Sequence, residues 1–289
     1  MSTAAAPPAA PPRERVLVVA NDYPGQPWAL PEVAAEADAY ERILAEAGVA
    51  FATLRNLTAA QFRAALVAQR PTAVVFCGHG DLQHDGGMAL GFVSAQGDGA
   101  RFDLVDHATM ADYLLAQPTL RLVLLTACCT EMLARQMARL ALRRGRGAGA
   151  AAALPCIACW RTMTADRAAR AFGEAFVRHF AQAPPGSTAW ALQAYAAATG
   201  AVTDLRVPST LGTGHAADVI CYAFEDPATW GASRGATWAA GVPLLVDLQR
   251  SARALAAAAA VEAAAARPQQ QLHAHKTRRF AVRAAAVAR

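Results

Sequence analysis

The sequence predicts an α/β fold in three layers (αβα), a mostly parallel sheet flanked by helices on both faces. Two observations predict it. Short apolar runs rich in Val, Ile and Leu alternate with segments of helical periodicity from about residue 16 to residue 199. Those runs are apolar throughout rather than alternating, the pattern of strands buried on both faces.

Val16 to Ala20 is the first such strand, followed by the turn-forming Asn21-Asp-Tyr-Pro-Gly25. Pro31 then opens a helix with Val33, Ala37, Tyr40, Ile43 and Leu44 on one face. Glu32, Glu36 and Asp38 crowd its first turns, where acids suit the helix dipole, and Gly48 ends it. Val49 to Leu54 reads as a second strand, and Thr58 caps a helix running to about Gln69. Ala73 to Cys77 is a buried strand that breaks at Gly78-His79-Gly80. Leu90 to Val93 and Arg101 to Leu104, joined through Gly97-Asp-Gly99, predict a hairpin, and a short helix follows around Thr109 to Ala116. Arg121 to Thr126 is another apolar strand, stopping at Ala127-Cys128-Cys129. Glu131 to Arg143 is amphipathic helix and Leu154 to Trp160 a further strand. Thr164 caps a helix with Ala168, Phe172, Phe176 and Phe180 inward, and Ser187 caps another to about Thr199. Beyond that, Ala217 to Phe224 predicts a late strand and Gly241 to Ala266 one Ala-rich helix. The resulting division is an Ala/Pro tail at residues 1–12, one large domain at 13–228, and a helix with a basic tail at 229–289.

Composition narrows the function classes. The hydrophobic fraction of 55% is largely alanine, and no stretch of about 18 apolar residues without charge reads as a membrane span. The start, Met1 to Pro12, has neither the basic opening nor the apolar core of a secretory signal. The expected compartment is the cytoplasm, with a short organellar transit peptide as the alternative. Six cysteines in 289 residues are too few for a disulfide scaffold, so a cysteine with a role is expected to be chemical rather than structural. The formal charge of +5 sits in the tail: Arg267 to Arg289 holds six Arg/Lys and no acid, and the rest of the chain is nearly neutral. Nucleic-acid binding is therefore expected only through that tail, if at all, and His273 and His275 read as part of its solvated basic surface.

In parallel sheets chemistry gathers beyond the carboxyl ends of the strands. Two strands end there in reactive types, one in Gly78-His79-Gly80 and the other in Ala127-Cys128. A histidine within hydrogen-bond reach of a cysteine takes its proton and stabilises the thiolate, and adjacent strands about 4.8 Å apart let residues past their ends meet. Cys128 also opens the turn into a helix, whose N–H groups favour a thiolate. The backbone N–H groups of Gly80 and Cys128 are the candidate oxyanion donors. Cys129 is the alternative nucleophile, although a structural role fits it better.

Histidine precedes cysteine by 49 residues, close to the spacing of about 50 in caspases, whose cysteine also follows an alanine. Residues 16–199 resemble a CHAT domain, a module related to caspases and separases. The resemblance is carried by Leu30-Pro-Glu-Val-Ala-Ala-Glu-Ala37, Phe76-Cys-Gly-His-Gly80, Leu124-Leu-Thr-Ala-Cys128 with Thr130, Ile157-Ala-Cys-Trp160, Asp166, and Ala171-Phe-Gly-Glu-Ala-Phe176. It implies a caspase-like fold and a cysteine endopeptidase using a His79–Cys128 dyad on a protein or peptide substrate, without a cofactor. Cys129 and Glu131 depart from the Glu and Gly more usual in the family. The rival expectation is an inactive module of the same fold acting in protein–protein interaction or regulation. Asp22, Glu32 and Asp81 are the acids near the expected cleft. One of them lining the first specificity pocket predicts a preference for Arg or Lys before the scissile bond. No metal site is expected, because Cys156 and Cys159 lie three apart in a strand and point to opposite faces.

Overall fold

The computed structural model describes residues 14–26, 28–80, 82–84, 87–95, 102–128, 130–144, 155–160, 166–183, 190–204 and 243–247. Asp81, Cys129, the turn at residues 97–99, the caps at Thr164 and Ser187, the strand expected at residues 217–224 and the basic tail lie outside them. Apolar runs become strands where the sequence places them: β1 (Arg15–Ala20), β2 (Ala50–Arg55), β3 (Ala73–Cys77), β7 (Leu122–Leu125) and β8 (Cys156–Trp160). Between them run α1 (Pro31–Glu46), α2 (Ala59–Gln69), α3 (His107–Leu115) and α4 (Glu131–Arg143). After β8 come α5 (Asp166–Gln182) and α6 (Trp190–Asp204).

The main sheet has six strands in the order β2-β1-β3-β7-β8-β9, where β9 is Pro243–Asp247. All pairs are parallel except β8 with β9. The predicted Ala-rich helix over 241–266 is corrected at this point: residues 243–247 are a strand. Pro-Leu-Leu-Val-Asp is a short apolar run of strand type, set immediately before the alanine tract that invites a helical reading. The sheet therefore draws on chain beyond residue 228.

Alternate residues of each strand enter opposite cores. Leu17, Val19, Val74, Phe76, Val123, Leu125, Ile157 and Cys159 pack under α2, α3 and α4. Val16, Val18, Val75, Cys77, Leu122, Leu124, Ala158 and Trp160 pack under α1, α5 and α6. This is the three-layer arrangement the apolar strands predict. Cys156 and Cys159 fall on opposite sides of it.

A second sheet of three antiparallel strands, β4 (Leu82–His84), β5 (Gly87–Val93) and β6 (Phe102–Asp106), grows out of the loop after β3. The hairpin was legible in the sequence, whereas β4, only three residues long, was not. Leu90, Phe92 and Val105 fix this sheet against the α2–α3–α4 core. Among the described residues no helix is long and apolar enough to cross a membrane.

Candidate active site

Strands β3 and β7 are direct neighbours, with Phe76 opposite Leu125. Their continuations carry His79 and Cys128. Past the last strand pair, Thr126 N–H donates to the Phe76 carbonyl at 2.9 Å and its hydroxyl to the same oxygen at 3.3 Å, so the two strand ends stay knitted as far as the site. His79 and Cys128, both half-buried, line one narrow cleft with Gly78 and Thr126. Leu30, Glu32, Val33 and Glu36 of the first helix region and Ala169 of α5 form the rest of its wall.

His79 is held on three sides. Its Nε2 lies 2.9 Å from the Trp28 carbonyl oxygen. A carbonyl only accepts, so Nε2 carries a proton there and a neutral ring keeps its lone pair on Nδ1. The ring stacks on Tyr23, with centroids 5.4 Å apart and planes at 29°, and meets Phe102 of β6 edge-on at 5.2 Å. Tyr23 is itself fixed: its hydroxyl donates to the Gly91 carbonyl at 2.7 Å, and burial pushes its phenol well above the usual range, so it remains a donor. The His79 carbonyl accepts from Gly91 N–H at 3.1 Å, which ties the histidine loop to β5.

The cysteine turn is fixed from below. Thr130, fully buried, donates its hydroxyl to the Ala127 carbonyl at 3.1 Å and accepts from Trp160 N–H at 3.2 Å, joining the turn to the end of β8. Gly80 presses on the same turn: a Cβ there would come within 2.5 Å of the Cys128 carbonyl oxygen and 2.9 Å of the Ala127 Cβ. Only a glycine allows the histidine loop so near the cysteine turn.

Of the acids expected near the cleft, Glu32 lines it and pairs with Arg170 at 3.1 Å. Asp22 instead accepts from Asn56 Nδ2 at 2.6 Å and receives Leu30 N–H on its carbonyl, bracing the loop between β1 and α1. The acid that sequence reasoning placed on the helix dipole, Glu36, is 2% exposed and forms part of the cleft wall. Its carboxylate accepts from the Tyr40 hydroxyl. A usable signal existed: Glu36 falls one turn before Tyr40, on the buried stripe with Val33, Ala37 and Tyr40. Among the described residues no group of His, Cys, Asp and Glu is arranged to hold a metal ion.

The model of the CHAT domain matches residues 2–241 of this sequence. The chain belongs to the CHAT-domain family. A search of curated proteins finds no match. Among solved structures this CHAT chain is similar to the Drosophila initiator caspase Dronc, at 15% identity and a TM-score of 0.39. That alignment covers 58% of this chain and 65% of the Dronc chain.

Proposed function

We propose that this CHAT domain is a cysteine endopeptidase in which His79 and Cys128 form the catalytic dyad. The observation that supports the reading is that His79 and Cys128 both line one cleft beyond the carboxyl ends of β3 and β7, with His79 Nε2 engaged by the Trp28 carbonyl. That engagement leaves Nδ1 as the basic nitrogen. In the first step Nδ1 takes the thiol proton, and Sγ of Cys128 attacks the carbonyl carbon of the scissile peptide. Negative charge develops on the carbonyl oxygen, where the Gly80 and Cys128 N–H groups serve as donors. The imidazolium returns its proton to the departing amine, and a thioester remains on Cys128. His79 then takes a proton from water, which adds to the thioester carbonyl, and the acid product leaves as the thiol re-forms. The aromatic walls of Tyr23 and Phe102 keep the imidazole in one orientation through both steps.

Peptides with a terminal acyloxymethyl ketone test the reading. Intact-mass analysis is expected to show one adduct, mapped to Cys128, that disappears in Cys128→Ala. The adduct should form at least a hundredfold more slowly in His79→Ala, the scale of a general base. A folded protein that no such peptide labels, or proteolysis that survives Cys128→Ala, overturns the assignment in favour of a binding module of the same fold.

A further inference from the structure

We propose that the cleft beside Cys128 admits only a small side chain, that of glycine, alanine or serine, in the residue preceding the scissile bond. This rests on the peptidase reading and names its substrate class.

The chemistry sets which side of the scissile bond meets the cleft. His79 has to reach the departing amine, so the residue that leaves lies toward the imidazole. The residue whose carbonyl carbon Cys128 attacks is left facing the rest of the lining, which is Leu30, Val33 and Glu36 on the α1 side and Ala169 on α5. Room then decides what that side chain can be. The cleft holds about 30 Å³ of free space. One water needs about 10–15 Å³ of such space, and a benzene ring fills a cavity of about 150 Å³. The cleft therefore takes a methyl or hydroxymethyl group and falls far short of a leucine side chain. Lysine and arginine, the residues that acids near the cleft lead one to expect, carry longer stems still.

The walls are not free to retreat, because they belong to core-packed elements. Val33, Glu36 and Ala169 are buried, and Val33 and Ala169 share one core with Tyr40 and Phe172. Leu30 N–H donates to the Asp22 carbonyl at 2.9 Å, and the Leu30 carbonyl accepts from Val33 N–H at 3.0 Å. The two helices are closed on each other at two points. Gly173 of α5 comes so near α1 that a Cβ there would fall onto the Tyr40 hydroxyl and lie within 3.1 Å of Glu36 Oε1. Arg170 of α5 meets Glu32 at 3.1 Å and Glu174 at 2.8 Å. Thr126 is fixed in turn by its two hydrogen bonds to the Phe76 carbonyl. A long side chain has to part α1 from α5 within a close-packed core, whereas a methyl group needs no movement.

The test uses the unaltered full chain and Val33→Ala, which widens the cleft on the α1 side without touching the dyad. Acyloxymethyl ketone peptides ending in Gly, Ala, norvaline, Leu or Lys are compared by their rates of adduct formation on Cys128. In the unaltered chain Gly and Ala are expected to react at least tenfold faster than Leu and Lys. In Val33→Ala the norvaline rate relative to Ala is expected to rise at least threefold. In parallel, Cys128 is modified with methyl, propyl and benzyl methanethiosulfonates, which need no peptidase activity, and the adducts are mapped by mass. The methyl-to-benzyl rate ratio is expected to exceed that of a free thiol at least tenfold and to fall in Val33→Ala. Leu or Lys peptides that match Ala overturn the proposal and leave the peptidase reading standing. A methyl-to-benzyl ratio equal to that of a free thiol overturns it too. A size preference that Val33→Ala leaves unchanged in both series puts the limit outside this cleft, with the same consequence. If no peptide labels the folded protein, the peptidase reading itself has failed and the substrate preference falls with it, whatever the methanethiosulfonate ratio.

Discussion

Thr130 and Gly80 hold the cysteine turn by opposite means, one by supplying hydrogen bonds and the other by supplying nothing. Replacing Thr130 by Val keeps the shape but leaves the Ala127 carbonyl and the Trp160 N–H without their shared partner. Unpaired buried backbone groups cost about 1–3 kcal/mol. Thr130→Val is accordingly expected to lower the urea midpoint by that free energy, while Thr130→Ser, which keeps the hydroxyl, loses less; the two denaturation curves decide it. Gly80→Ala acts through contact. The new methyl meets a backbone oxygen and a Cβ, neither of which can swing aside, so the histidine loop must lift from the turn. Overpacking of this sort costs about 1–3 kcal/mol. The expected outcome is a lower melting temperature together with at least a tenfold slower alkylation of Cys128, measured by mass at a fixed iodoacetamide concentration.

At the scale of the element, α2 and α3 carry the sharpest expectations. Thr58 closes a capping box at the start of α2, accepting from Gln61 N–H at 3.2 Å while the Gln61 side chain accepts from Thr58 N–H at 2.9 Å. Thr58→Ala should cost about 1 kcal/mol of stability by denaturant titration. His107, the first residue of α3, is 4% exposed with neither ring nitrogen hydrogen-bonded. Burial lowers it from 6.5 to about 4, against the opposing pull of the Asp106 carboxylate. Its folded value lies below its unfolded one, so between those values the unfolded chain binds more protons than the folded one. Stability is therefore full above about pH 6.5 and is lost as pH falls toward 4, by roughly 3 kcal/mol over the window. His107→Leu should flatten that part of a stability-against-pH curve; an unchanged slope assigns it to other groups.

The same elements show what the sequence made legible. The five parallel strands, α1, α2 and α4 were readable because short apolar runs and 3.6-residue stripes are local patterns. The Thr58 cap was readable because it needs only its neighbour three residues on. That Gly78-His79-Gly80 and Ala127-Cys128 leave neighbouring strands toward one cleft was readable because parallel topology sends both strand ends to one edge. The burial of Glu36 was readable from its place on the stripe of Val33, Ala37 and Tyr40, but the close approach of Gly173, more than a hundred residues away, to Tyr40 and Glu36 was not. The Trp28 carbonyl carries no side-chain signature at all. β4 is too short to show a period, and β9 is masked by the alanines after it.

For the molecule as a whole, β9 decides where the domain closes. The five parallel strands end at β8, which is apolar on both faces, with Ile157, Ala158, Cys159 and Trp160 fully buried. An exposed edge of that composition is a template for pairing with another chain. The antiparallel strand Pro243–Asp247 covers it along its full length, from Cys156 opposite Asp247 to Trp160 opposite Pro243. The ring of Trp160 in turn sits on Phe172 of α5 at 5.2 Å and its backbone N–H donates to the Thr130 hydroxyl, so the edge is connected to the cysteine turn. Ending the chain at residue 240 thus removes more than a peripheral strand. The shortened protein is expected to melt at lower temperature and to form dimers or larger species in sedimentation velocity, where the full chain does not. Its Cys128 alkylation rate should fall as well, because the edge and the turn share Thr130. Ending the chain at residue 250 should restore all three properties. If the chain ended at 240 matches the full one in melting, association and alkylation alike, β9 is dispensable and the five parallel strands close the domain by themselves.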